Sequence, residues 1–253
     1  MKQEKTALQR AGGFLLDMIF PKGIYCIACG TPLKGGDPDS LCEDCRKALL
    51  VQRPSVCRRC GRFARRPAQD FCEHCAGREP VYDRGVAAVE YKGPVRSILY
   101  GIKYDGKGYL AENMAAILLP LLPAPAWYDV IVPVPMHPGK RSERGYCQTT
   151  LLARHLARET GKPLITDGLI RIRKTRPMSE LPHEQRAVNI RGAFQVPDPE
   201  VFAGKRILLV DDLLTTGSTA DECARVLKEA GARSVYLAVF AAAVKEAGRK
   251  TES

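Results

Sequence analysis

The chain has 253 residues, 45% of them hydrophobic and 26% charged, a composition that excludes collagen-like, mucin-like and wholly disordered proteins. Its formal net charge is +11, from 39 Lys and Arg against 28 Asp and Glu, which favours phosphates, nucleic acid or an anionic surface as partners. No apolar run approaches the roughly 18 residues needed to cross a bilayer, so no transmembrane segment is expected.

In chain order, Leu8, Gly12, Leu15, Leu16 and Ile19 fall at helical spacing and Pro21 ends the pattern. This predicts an amphipathic helix over residues 1–22, docked on the body of the protein or lying on a membrane surface. Asp17 interrupts the apolar stretch and no small-residue cleavage site follows, which argues against a signal peptide. A Cys-rich unit over 23–80, a larger domain over 81–245 and a polar tail over 246–253 complete the expected organisation.

Eight of the ten cysteines lie in four C-x-x-C pairs: Cys26/Cys29, Cys42/Cys45, Cys57/Cys60 and Cys72/Cys75. A two-residue gap lets both sulfurs of a turn face one ion about 2.3 Å away, and two such knuckles complete a tetrahedral zinc site. The unit is also an internal repeat. Cys26-Ile27-Ala28-Cys29-Gly30 matches Cys57-Arg58-Arg59-Cys60-Gly61, and Leu41-Cys42-Glu43-Asp44-Cys45 matches Phe71-Cys72-Glu73-His74-Cys75. Two successive zinc ribbons follow, with structural Zn²⁺ because protein fills every coordination position. Interleaved sites, with the first and third pairs sharing a metal, use the same ligands and stay open. Iron–sulfur clusters also take four thiolates. Disulfides would need an oxidising compartment, and nothing signals export, so the protein is expected in the cytoplasm. His74 reads as an exposed residue rather than a ninth ligand. Gly30 and Gly61 follow the first knuckle of each repeat, where a left-handed backbone is easy. Residues 1–80 hold 14 Lys and Arg against 9 Asp and Glu. Eight thiolates and two Zn²⁺ bring the segment to about +1, leaving Arg58, Arg59, Arg62, Arg65 and Arg66 as a local basic patch.

From Val81 onward short apolar strands alternate with amphipathic helices, the pattern of an α/β fold around a mostly parallel sheet. Strands are expected near Val86–Tyr91, Val130–Val134, Leu169–Arg173, Arg206–Val210 and Ser234–Phe240. Helices are expected near Pro94–Lys103, Leu110–Leu119, Gln148–Thr160 and Thr216–Ala230, the last ended by Gly231. The most informative segment runs from Ile207 to Thr219: an apolar strand, two acids, then a hydroxyl-rich loop opening a helix. Backbone N–H groups at a helix N-terminus, with Thr and Ser hydroxyls, cradle a phosphate, and Gly217 allows close approach. Carboxylates at the C-terminal end of a strand suit ribose hydroxyls and Mg²⁺. Cys223 reads as a buried helix residue, and neither it nor Cys147 has the surroundings of a nucleophile.

This segment resembles the phosphoribosyl pyrophosphate (PRPP) motif of type I phosphoribosyltransferases. The resemblance implies that Asp211 and Asp212 hold the ribose hydroxyls with Mg²⁺, and that Thr215, Thr216, Gly217, Ser218 and Thr219 hold the 5-phosphate. With the four C-x-x-C pairs, the strand-to-proline loop Val130–Pro138, Arg144-Gly145-Tyr146 and Asn189-Ile190-Arg191-Gly192, the order resembles the ComF (competence protein F or GntX-like) family. That family joins a double zinc ribbon to a phosphoribosyltransferase domain. By this resemblance Pro135, Met136, His137, Lys140 and Arg141 form the pyrophosphate region, and Arg144, Tyr146 and Arg191 contact an acceptor or anion. Cys147 and Met178 stand where the family usually carries Asn and Gln. An Asp that 6-oxopurine enzymes carry in the phosphate loop is Thr215 here, which argues against a hypoxanthine-guanine transferase.

Residues 129–191 hold 12 Lys and Arg against 6 Asp and Glu, including Arg171, Arg173, Lys174 and Arg176. This suits a nucleic acid, or else a strand edge protected by solvated charge. The resemblance implies a PRPP-binding protein acting on single-stranded DNA during natural transformation, with other DNA-uptake proteins as partners. A nucleobase transferase of nucleotide salvage and a non-catalytic PRPP-sensing nucleic-acid binder are the alternatives.

Overall fold

The computed structural model describes residues 23–35, 39–50, 56–63, 70–176 and 181–244. The amphipathic helix expected over 1–22, Arg65, Arg66, Met178 and the C-terminal tail lie outside them. The elements in chain order are α1 (Glu43–Leu50), α2 (Glu73–Ala76), β1 (Arg84–Glu90), α3 (Pro94–Tyr104), α4 (Leu110–Leu118), β2 (Val130–Pro133), α5 (Pro138–Arg144), α6 (Gln148–Thr160), β3 (Ile170–Arg171), α7 (His183–Ile190), β4 (Phe194–Gln195), β5 (Arg206–Leu214), α8 (Ser218–Glu229) and β6 (Ser234–Ala242).

Strands β1, β6, β5 and β2 form one sheet in that order, every pairing parallel. A parallel sheet is covered on both faces, which is why β5 opens on the unbroken run Ile207-Leu208-Leu209-Val210. Alternation along the strand then sorts these side chains. Leu208 and Val210 join Ile131, Ala238 and residues of α3, α4 and α6 on one face. Ile207 and Leu209 join Val132, Leu237, Val239 and the inner side of α8 on the other. Each Cys-rich repeat docks on a different face: Cys26, Leu41 and Cys45 in the first layer, Cys57, Cys60, Cys72 and Cys75 in the second.

The strand expected at Leu169–Arg173 is not part of this sheet. Only Ile170 and Arg171 pair, antiparallel, with Gln195 and Phe194, making a separate hairpin. Strand β5 is longer than expected and carries Asp211 and Asp212 within it rather than after it.

Glycine is required where the second repeat meets the sheet. Gly61 has φ +71°, and a Cβ there would lie 2.5 Å from the Gly85 carbonyl oxygen. Gly85 in turn donates its N–H to the Arg59 carbonyl at 2.6 Å. Gly30, its counterpart in the first repeat, has φ +78° with nothing within 4 Å of the same position. Gly61→Ala is therefore expected to cost about 2–4 kcal/mol, left-handed strain plus a backbone clash, and Gly30→Ala only about 1–2 kcal/mol of strain. Urea melts of the metal-loaded variants measure both, and equal losses would show that the contact with Gly85 is not tight.

Candidate functional site

The eight thiols form two groups in sequence order. Cys26, Cys29, Cys42 and Cys45 have their sulfurs within 4.8 Å of one another, and so do Cys57, Cys60, Cys72 and Cys75. Sulfurs around a tetrahedral Zn²⁺ at about 2.3 Å stand about 3.8 Å apart. Cys29 and Cys42 are 3.7 Å apart and Cys60 and Cys72 are 3.5 Å apart, so both sets fit that ion. The interleaved arrangement is excluded. Hydrogen bonds from the Thr31 hydroxyl and then its backbone bring the Cys29 thiol down to about 6, into the thiolate form a metal needs. His74 belongs to neither group; it is half-buried and lines the cleft described below.

Among the described residues, three arginines of the expected basic patch take different settings. Arg58 pairs with Asp70 at 3.1 Å, and Arg59 pairs with Glu79 while stacking 4.1 Å over the Phe71 ring. Arg62 is fully buried.

The acid pair sits on β5 where its C-terminal half leaves the apolar run. Asp211 accepts the N–H of Asp212 at 2.8 Å. Its carboxyl is pushed up to about 8, first by burial and then by the charge of Asp212 beside it. Asp212 is 5% exposed and takes two donors, the Lys103 ammonium at 2.8 Å and the Gln148 amide at 3.2 Å. Burial alone would lower Lys103, but the Asp212 carboxylate outweighs it and holds the ammonium charged. Arg144 donates to the Gln148 oxygen at 2.5 Å and lies 5.7 Å from the Tyr104 ring. Tyr146 donates its hydroxyl to the Ile102 carbonyl at 2.7 Å, on the same turn of α3. Arg144 thus reaches Asp212 through Gln148, and Tyr146 is tied to the turn of α3 that carries Lys103.

Because Asp211 holds a proton that the unfolded chain releases near pH 4, its contribution to stability is full below that pH and disappears as pH rises to about 8. Asp211→Asn is expected to remove this slope. Thermal midpoints should converge for the two proteins near pH 5 and separate, with the variant higher, by pH 9. Parallel curves across that range would show that Asp211 does not titrate there.

The Thr215–Thr219 loop joins β5 to α8. Gly217, with φ +89°, turns the chain into α8. The Thr216 and Ser218 hydroxyls lie 3.0 Å apart, and Ser218 donates its N–H to the Thr216 oxygen at 3.3 Å. Thr215, Thr216 and Thr219 are half-buried, whereas Gly217 and Ser218 are buried. The loop after β2 lies alongside, since β2 and β5 are parallel neighbours and Val134 donates to the Val210 carbonyl at 2.9 Å. Pro135, Met136 and His137 are half-buried there, and His137 caps α5 by accepting the Gly139 N–H at 3.2 Å. Lys140 is half-buried and Arg141 exposed, neither with an ion-pair partner among the described residues. Arg191 is not brought to this cluster. It is exposed, its carbonyl accepts from Arg173 at 2.6 Å, and its charge acts on Glu222.

Two acids, a hydroxyl-rich loop at a helix N-terminus and a neighbouring basic loop lie toward the C-terminal ends of β5 and β2, where α/β sheets commonly bind ligands and a helix N-terminus favours an anion. A family model for a double zinc ribbon domain matches residues 15–76, and one for a phosphoribosyl transferase domain matches residues 149–253. The DNA utilization protein YhgH of Salmonella typhi is 31% identical over 206 residues, spanning 78% of this chain and 88% of that protein. The chain belongs to the ComF family. Competence protein F of Haemophilus influenzae is 27% identical over 206 residues, 79% of this chain and 89% of that one. Competence protein ComFC of Streptococcus pneumoniae is 25% identical over 223 residues, 83% and 96% of the two chains. The parallel sheet is accordingly the type I phosphoribosyltransferase fold, and the two four-thiol clusters are those of the ComF zinc ribbons.

Reading the sequence missed Lys103 and Gln148. One signal for Lys103 was present: Val95 and Leu99 are buried one turn apart on α3, and Lys103 continues that series onto the apolar stripe. Cys147 is buried with its sulfur 3.0 Å from the Thr149 hydroxyl, which donates to the Val134 carbonyl. It supports the end of β2 and does not reach the acid pair.

Proposed function

We propose that this protein binds PRPP with Mg²⁺, holds one Zn²⁺ in each four-thiol cluster, and acts on single-stranded DNA taken up during natural transformation. The observation that carries the reading is the Asp211–Asp212 pair in the C-terminal half of β5, followed directly by the Thr215–Thr219 loop that opens α8, in a chain of the ComF family. Asp211 and Asp212 accept hydrogen bonds from the ribose hydroxyls, and the N–H groups and hydroxyls of the loop donate to the 5-phosphate. Lys140 and Arg141 offset the pyrophosphate charge from the loop after β2. Mg²⁺, when bound, supplies further neutralisation of the departing pyrophosphate. Lys103 holds Asp212 in the free protein and turns toward the ligand once the ribose takes that carboxylate.

The DNA part of the reading is supported by the names of the Salmonella and Haemophilus relatives and by a surface beside the site. Tyr100 and Tyr104 are exposed one turn apart on α3, their rings 5.0 Å apart, with Arg144 adjoining. Aromatic faces next to arginine stack single-stranded bases without sequence preference. Among the described residues no helix is long and apolar enough to cross a membrane. Four-thiol zinc sites need reduced cysteines, so on this reading the protein resides in a reducing compartment such as the cytoplasm.

The test is calorimetric titration with Mg²⁺-PRPP, followed by pyrophosphate release against a panel of nucleobases, with Asp211→Asn as control. Saturable binding lost in the control supports the reading. Base-dependent release would make the protein a nucleobase transferase, and an unchanged transformation frequency on deletion in a competent host would remove the DNA role.

A further inference from the structure

The second ribbon reaches the phosphate loop. Arg62, two residues after the Cys57–Cys60 knuckle, is 2% exposed. Its Nη1 donates to the Ala243 carbonyl at 3.1 Å, and the Ala243 N–H donates to the Leu214 carbonyl, one residue before the loop, at 2.9 Å. Its Nη2 lies 3.9 Å from the position a Cβ on Gly217 would take. Its buried Nε has no hydrogen-bond partner, and no described carboxylate pairs with the guanidinium. A loaded cluster, with formal charge −2, offsets this cation at a distance but gives Nε no acceptor.

A second tie runs through Asp221, one turn into α8. Its carboxylate pairs with Arg78 and accepts the Val81 N–H at 2.7 Å, while its own N–H donates to the Gly217 carbonyl at 2.8 Å. Between these ties lies a cleft of about 350 Å³ lined by Arg62, His74, Arg78 and Tyr82 on one side and Gly217 and Ser218 on the other. Among the described residues the first ribbon has no such link. It lies on the opposite face of the sheet, its Ser40 hydroxyl accepting from Asn113 on α4 at 2.9 Å.

A buried charge is ordinarily paired. Asp221 Oδ2, which Arg78 already pairs, lies as near the Gly217 Cβ position as Arg62 Nη2, yet Arg62 keeps an unsatisfied donor against a helix N-terminus that itself carries about half a positive charge. We propose that Arg62 is a positioning residue that fixes the Thr215–Thr219 loop and adds its charge to it, so that the second metal cluster, and not the first, belongs to the phosphate site. This rests on the PRPP-binding reading above.

The test uses the full chain with both metals loaded, as Arg62→Gln, which keeps a polar side chain with a donor but removes the charge, and Arg62→Lys, which keeps the charge. Arg58→Gln, at the exposed arginine of the same knuckle, is the control. Ribose 5-phosphate, PRPP and inorganic pyrophosphate, each with Mg²⁺, are titrated calorimetrically, and zinc content and melting are read for every variant. Arg62→Gln is expected to weaken both sugar phosphates about tenfold or more, the scale of one charge-assisted hydrogen bond. Arg62→Lys recovers most of this, while pyrophosphate alone and Arg58→Gln match wild type. Wild-type affinity for the sugar phosphates in a folded, zinc-replete Arg62→Gln protein overturns the proposal. So does an equal loss for all three probes with lowered melting, which marks general damage to the fold. If the unaltered protein binds neither sugar phosphate, the PRPP reading itself falls and takes this one with it.

Discussion

Asp212→Ala is expected to destabilise the protein by about 3–5 kcal/mol, the range for removing one partner of a buried ion pair. The Lys103 side chain is 21% exposed and its ammonium sits 2.8 Å from the carboxylate that would be lost. Burial pushes Lys103 down, and Asp212 is the largest of the charges that hold it up, with Asp211 adding less. Without that carboxylate the lysine must shed its proton or pull the end of α3 toward water. The Gln148 amide loses its acceptor as well, and with it the link to Arg144. For a chain of this size the loss corresponds to a fall in Tm of roughly 6–20 °C. Lys103→Met in the same background should return most of it, because the stranded charge is then absent. A single-variant loss below about 1 kcal/mol would place the pair among surface ion pairs. The Mg²⁺-PRPP site is expected to be lost in both proteins, so stability and binding separate in the double variant.

What local sequence dictates was legible. The C-x-x-C pairs needed only their spacing, and the run Ile207–Val210 with the acids and glycine that follow needed only strand and loop chemistry. Residues whose roles depend on what folds against them were not. Leu169 to Arg173 alternates apolar and basic residues and reads as a strand with a charged face. In the fold Arg171 lies 5.5 Å over the Phe194 ring, while Arg173 donates to the Asn189 and Arg191 carbonyls, so two of those charges brace a short hairpin. Arg62 is the same lesson in reverse. One of five arginines in an apparently solvated tract, it is the one that the docking of Gly61 on Gly85 carries into the interior. Lys103 needed α3 to pack against β5 before its charge found Asp212.

The two metal clusters should differ in what their loss costs. About two Zn²⁺ per chain are expected by elemental analysis, falling to about one on replacing either Cys26 or Cys57 with serine. Structural zinc contributes folding free energy directly, on the order of 10 kcal/mol in small zinc domains. Cys57 and Cys60 are each 1% exposed and pack in the same apolar layer as Val132, Leu209 and Ala220. Freed of metal, four buried thiols would be left facing that layer, and Arg62 and Arg78 would lose the framework that aims them at Gly217 and Asp221. Cys29 and Cys42 lie nearer to solvent, and their ribbon touches the opposite layer. Cys57→Ser should therefore lower the melting temperature more than Cys26→Ser and abolish ribose 5-phosphate binding, while Cys26→Ser keeps the phosphate site. Equal melting losses with equal binding would mean that both ribbons serve only as outer supports of the sheet.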